Sequence, residues 1–360
     1  MKQFFKASLL AILLINLVGC SEKMLTDAEK VTLKANIKED IAHHLQDSYD
    51  FHLFTMKGDS GEADTHIGFP LPVILIDGGV QFFMSSKFHH GLAIAQSGGN
   101  YYKLSHGKIY KTEANGELTP DGHGHFKNEM PINLSLTKTV TSTFFVVLLI
   151  FFLFKKVGKS YKTSLVPKGF GKILEPLVIF VRDEIAIPNI GEKKHAKYMP
   201  YLLTVFFFIW FINLTGLTPL GINVTGNIAI TTSLAILTFI ITTASGNKNY
   251  WKHIFWMPGV PVPMKIILAP IELLGVLIKP FALLIRLYAN ISAGHIVLMS
   301  LIGLLFVFQN AFARGAFFGL TIFLSLIELL VAFLQAYIFT MLSALYFGMA
   351  VEEHDHEEGH

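Results

Sequence analysis

Between positions 201 and 247 the chain carries no Asp, Glu, Lys or Arg, and further apolar stretches cover 134–154, 270–309 and 315–350. About 20 such residues let a helix cross the ~30 Å hydrocarbon core. Helices and closed barrels are the backbones that satisfy their own hydrogen bonds there. The expected fold is therefore an all-α polytopic membrane protein. Composition agrees: 52% of the 360 residues are hydrophobic and 15% charged, against about 25% charged in a soluble domain. The net charge of +3 selects no partner, and no basic stripe with interleaved aromatics points to nucleic acid.

The N-terminus reads differently. Lys2 and Lys6 precede an apolar run from Ala7 to Val18 that ends in Leu17-Val18-Gly19-Cys20. A charged start, a short apolar stretch and a small residue before the cut describe a secretory signal, 1–20. Leu-Val-Gly-Cys also resembles a bacterial lipobox, which makes Cys20 a candidate for lipidation; an uncleaved anchor is the alternative. Cys20 is the one cysteine, so no internal disulfide forms. Residues 21–133 are polar and mixed in charge, and read as a small α+β extracytoplasmic domain. Positions 28–45 have the pattern of an amphipathic helix. Pro72 to Met84 reads as two strands around Gly78-Gly79, and Asn100 to Lys111 as a second hairpin. The histidines here, His43-His44 and His89-His90 among them, lack a spaced Cys/His ligand set and read as surface residues.

The first span, 134–154, is apolar apart from Lys138 near its outer end. Lys155, Lys156, Lys159 and Lys162 follow it, which marks that loop as cytoplasmic. Residues 155–200 read as a polar loop containing a short apolar piece, 173–181. Pro219 and the segment 221–226 divide 201–247 into two spans, with Trp251 and Trp256 as interfacial anchors on the return. The stretches 270–309 and 315–350 exceed the ~17–25 residues that cross upright, so tilt or a bend absorbs the excess, Pro280 being a bend site. The expectation is five mature transmembrane helices, the last two long and tilted, with a cytoplasmic C-terminus.

Charge within a span costs ~3 to 10 kcal/mol or more and marks ion pathways. Glu272, Lys279 and Arg286 recur every seven residues, close to two turns, so they share a face with Asn290. Arg286 lies too far from either helix end to snorkel comfortably. A guanidinium stays protonated, since its pKa exceeds ~12. It is a fixed charge, not a carrier, and favours the ionised form of a carboxylate that faces it. His295 lies nine residues on, ~13.5 Å further and ~180° around the helix. Imidazole can shuttle protons near neutral pH. On the last helix Glu328 and Gln335 are again seven apart. An antiparallel pair lets Gln335 meet Arg286 while Glu328 meets His295. Ala332, Ala336, Thr340 and Ala344, with Ala289 and Ala293, allow close helix approach, at a partner surface or, slightly favoured, at the seam of these two helices.

Lys279-Pro-Phe-Ala-Leu-Leu-Ile-Arg-Leu-Tyr-Ala-Asn-Ile-Ser-Ala-Gly-His295, Leu334-Gln-Ala-Tyr-Ile-Phe339 and Met349-Ala-Val-Glu-Glu-His354 resemble the signatures of the subunit a family of F-type ATP synthases. The resemblance covers 134–354, the expected membrane domain, and leaves 355–360 as a polar tail. It implies that Arg286 is the stator arginine. Asn290 and Gln335 would be its polar neighbours, Glu272 an acid of the cytoplasmic half-channel, and His295 with Glu328 the pair of the outer half-channel. Some members carry the acid on the first helix and the histidine on the last, the reverse of the order here. Implied partners are the rotor ring of subunit c, the subunit b stalk, the remaining synthase and the lipid bilayer. The implied location is the bacterial inner membrane. The family implies no cofactor and no catalysis by this chain alone. Residues 36–53 resemble the stretch before the family's first span; the rest of 21–133 departs from the usual core.

Two rival classes leave other marks. A secondary transporter binding an anionic substrate at Arg286 calls for inverted repeats and interrupted helices. An intramembrane metalloprotease calls for His-Glu-x-x-His or an equivalent. Neither pattern is present, nor is a phosphate-binding Gly-rich loop ending in Lys-Ser/Thr.

Overall fold

A computed structural model describes residues 32–35, 37–38, 47–56, 65–91, 93–121, 126–162, 169–218, 224–257, 259–308 and 310–352. Cys20 and the signal-like segment lie outside the described residues, as do His354 and the polar tail. The chain divides into two compact units: 1–43 with 296–324, and 44–295 with 325–360. In the first unit, 32–35 and 37–38 are helical, Ile37 packs against Gly303, and Phe308 stacks on Phe317 with centroids 5.1 Å apart.

The second unit begins with strands β1 (Asp50–Met56), β2 (Thr65–Pro70), β3 (Pro72–Ile76), β4 (Val80–Met84), β5 (Ile94–Ser97), β6 (Asn100–Ser105), β7 (Lys108–Thr112) and β8 (Ile132–Asn133). They form an antiparallel pair β1-β2 and two three-stranded antiparallel sheets, β4-β3-β8 and β5-β6-β7. Both expected hairpins are present. β3 and β4 turn through Asp77-Gly78-Gly79, and β6 and β7 through His106-Gly107, where both residues have positive φ (48° and 71°). A two-residue loop of that shape matches the twist of the flanking strands. Val73, Leu75, Phe83, Phe88 and Tyr102 bury a small core, with Phe83 edge-on to Phe88 at 5.5 Å. The Asp77 carboxylate links the sheets: it accepts from Asn100 Nδ2 (2.9 Å), Tyr102 Oη (3.0 Å) and Lys111 Nζ (2.9 Å). Lys111 and its neighbours hold this carboxyl below the usual range, and Asp77 in turn raises Lys111.

Among the described residues eight α-helices and one π turn follow along the chain: α1 (Lys138–Tyr161), α2 (Gly171–Phe180), a wide π turn (Val181–Ala186), α3 (Ile187–Ile190), α4 (His195–Gly216), α5 (Ile228–Ala244), α6 (Lys248–Phe255), α7 (Val262–Val307) and α8 (Ala311–Val351). The start of α1 is tied to the strand region, because Lys138 N donates to Ser48 O (2.8 Å) and Thr139 N to Asp47 Oδ1 (3.1 Å). These are among the N–H groups that a helix start leaves without internal partners. Residues 171–190 are one helical stretch, not the loop their charges suggest. Pro188 has no N–H and crowds the preceding turn, and the π turn just before it opens the ladder. Val181, Ile185 and Ala186 are buried while Arg182 and Asp183 pair outside.

Among the described residues four helices, α1, α4, α7 and α8, are long and apolar enough to cross a membrane; α5 with α6, bent by 103°, makes up to five. The α5–α6 break follows Ser245-Gly246, and α6 buries Tyr250 and Ile254 while Trp251 and Phe255 stay exposed. The core joins α8 to α4 through aromatic contacts: Phe333 with Phe206 (5.7 Å) and Phe347 on Tyr198 (4.9 Å). At the end of α8, Lys194 Nζ (2.8 Å) and Asn247 Nδ2 (3.1 Å) both donate to Val351 O. A cation there also suits the negative end of the helix dipole.

Candidate functional site

α7 and α8 carry every proton-path residue the sequence singles out. The small residues of the two helices serve different surfaces. Ala332, Ala336, Thr340 and Ala344 are buried, and Ala336 and Ala344 belong to the core that α4 also builds. Ala282, Ala289 and Ala293 are exposed, and Arg286 is exposed among them. Spacings of four, three and four place these residues on one face of α7. Leu283 and Leu287 point into the core instead. The two stripes therefore do not meet as one α7–α8 seam: the small residues of α8 pack into the chain's own core, whereas the α7 stripe is exposed.

Arg286 forms no ion pair or hydrogen bond with any described residue. Gln335 is buried and meets Asn290, whose Nδ2 donates to Gln335 Oε1 at 3.1 Å. Asn290 thus occupies the place beside Gln335 expected for Arg286. About two turns before Arg286 on α7, Lys279 Nζ sits 5.4 Å from the Tyr346 ring centroid; Tyr346 is also within electrostatic reach of Arg286, and Glu272 within reach of Lys279. Lys279, Tyr346, Thr238, Thr242 and Tyr250 contribute to the lining of a cavity of about 10 Å³ between α5, α6, α7 and α8, room for about one water. Tyr250 Oη is buried there without a hydrogen-bond partner among the described residues.

Toward the other end of α7, His295 is buried. The Glu328 carboxylate packs against Gly294, so closely that a Cβ at that position would overlap it. Glu328 thus reaches the residue beside His295, and no described hydrogen bond joins the two. His295 is within electrostatic reach of Lys138, itself buried at the first turn of α1 and within reach of Asp47. In the sequence Lys138 stands as an end residue, a lone cation in an otherwise apolar run. Gly294 and Tyr250 gave no comparable signal, since their importance is set by what packs on them.

The fold and these residues define a polytopic helical membrane protein that presents, on an exposed stripe of small residues, an arginine with no ion pair among the described residues. Residues 140–348 match the ATP synthase A chain family, and residues 40–134 match a domain of unknown function, DUF8433. The chain is 44% identical over 235 residues to ATP synthase subunit a of Myxococcus xanthus, covering 64% of this chain and 77% of that one. It is 44% identical over 237 residues to ATP synthase subunit a of Chloroherpeton thalassium, covering 63% and 70%. The chain belongs to the ATP synthase subunit a family. It is a membrane component of the rotary synthase, not its catalytic subunit.

Proposed function

We propose that this chain is the proton-translocating stator subunit of its synthase, offering two half-channels to the carboxylates of a subunit c ring. The observation that carries the reading is Arg286: exposed on a membrane helix, lined by alanines, and without an ion pair to a carboxylate among the described residues. A charge facing lipid costs ~3 kcal/mol at the least, so its counter-charge belongs to a partner. Small residues around it allow that partner helix to come close. Arg286 keeps the passing carboxylate ionised and blocks direct leakage, which makes protons take the rotor.

Protons enter past His295 and Glu328, with Lys138 and Gly294 shaping that region, and leave past Glu272, with the cavity beside Lys279 and Tyr250 on the way. Asn290 and Gln335 fix the α7–α8 spacing at the barrier. In the cell, residues 21–133 lie in the periplasm after removal of 1–20 or modification at Cys20, 134–354 cross the inner membrane five times, and 355–360 end in the cytoplasm. Subunit b holds this stator against the ring.

Replacing Arg286 with Ala in the assembled synthase is expected to abolish ATP-driven acidification of inverted vesicles while leaving ATP hydrolysis measurable. Coupled pumping by the Arg286→Ala complex at the parental rate overturns the reading.

A further inference from the structure

The sheet β4-β3-β8 carries apolar side chains on both faces, with Gln81 and Asn133 opposite Leu75 on the inner one. Its inner face, Val73, Leu75 and Phe83, is the buried core. The pairs Ile76↔Val80, Ile74↔Phe82 and Pro72↔Met84 stand on the other face, and Ile132 joins it opposite Ile76. Exposure there is high: Val80 73%, Phe82 64%, Ile132 65%. No polar or charged side chain interrupts it. The neighbouring sheet has a mixed outward face: Gln96, Lys103 and Thr112 stand there among Ile94, Tyr101 and Tyr110. Single exposed apolar residues need no explanation; a contiguous face of them marks an interaction surface.

What covers it follows from where the sheet is attached. Pairing with β3 continues past β8, because Leu134 N donates to Ile74 O (2.9 Å) and Leu136 N to Pro72 O (3.1 Å). Thr137 then caps α1. There is no linker between sheet and span. Leu134 is therefore within about 14 Å of the first turn of α1, four residues at most ~3.6 Å each. The 24 residues of α1 extend ~36 Å, beyond a ~30 Å hydrocarbon core and into the headgroup zones. Its own exposed side chains, Phe144, Phe145, Phe151 and Phe152, continue the apolar surface.

We propose that the outward face of β4-β3-β8 is a lipid-contacting surface, resting on the headgroup–acyl boundary of the leaflet at the N-terminal end of α1. It acts as a β-sheet counterpart of an interfacial amphipathic helix, anchored by buried apolar area, and gives the strand domain a task as a membrane-seated platform beside the channel.

The test uses the assembled synthase in phosphatidylcholine–phosphatidylglycerol liposomes, with the photo-crosslinker p-benzoylphenylalanine replacing Phe82, Phe145 or Lys103 one at a time. Phe82 is outside the core, so the substitution spares folding, which intact ATP-driven pumping verifies. The expected result is phospholipid adducts at 82 in a yield of the same order as at 145, and none at 103. Adducts at 82 with another subunit or a second copy of this chain, or a lipid yield at 82 no greater than at 103, overturns the proposal.

Discussion

A carboxylate resting on a glycine leaves that position no room for a side chain. Replacing Gly294 with Ala pushes the Glu328 carboxylate off its seat; because the displaced atoms end a flexible side chain, the helix pair should survive. The expected outcome is slower ATP-driven acidification with normal assembly, partly restored when Glu328→Asp shortens the acid. Equal acidification rates in the parent and Gly294→Ala would detach this contact from proton access. At the barrier, Asn290→Leu strips buried Gln335 of its partner. Hydrogen bonds between membrane helices average ~0.6 kcal/mol and reach ~1.7, so a small fall in thermal stability of the detergent-solubilised complex is expected, not unfolding. These residues differ in how readable they were. Arg286, His295 and Glu328 are charged or titratable in apolar runs and announce themselves. Gly294 and Lys138 acquire meaning from neighbours distant in sequence.

At the scale of elements, Gly348 lets α8 approach the backbone at Asn189, whose carbonyl a Cβ would strike. Backbone cannot swing aside, so Gly348→Ala should cost ~1–3 kcal/mol as overpacking, read as a lower melting temperature. In the strand domain, Asp77 contributes stability that depends on pH. Its folded pKa is depressed by Lys111, so the contribution is present above the unfolded value of ~3.9 and lost as pH falls through the folded value. Lys111, raised by Asp77, adds a contribution present below ~10.4 and lost as pH rises past its folded value. Pepsin cleavage within 72–112 should therefore rise as pH falls below about 4 in the parent. In Asp77→Asn that rise should flatten, with faster cleavage at pH 5. The hairpins here were legible because Gly-Gly and His-Gly punctuate alternating strands. The helix over 171–190 was not, because Pro176, Pro188 and the Arg-Asp-Glu run imitate a loop, while the buried Val181 and Ile185 that decide the matter are visible only when packed.

For the whole molecule, apolar run lengths sufficed to find the spans, since the bilayer imposes one length on every crossing. They could not distinguish an inward stripe of small residues from an outward one. Ala336 and Ala289 look alike in sequence, and only the position of α4 separates them. The unbroken passage from β8 into α1 also has a mechanical reading. With no flexible joint between them, the strand domain turns as α1 turns. A rigid fluorophore bound to that domain would report, through its polarisation, the inclination of the first membrane helix, so strain in the stator during rotation could be followed from outside the bilayer.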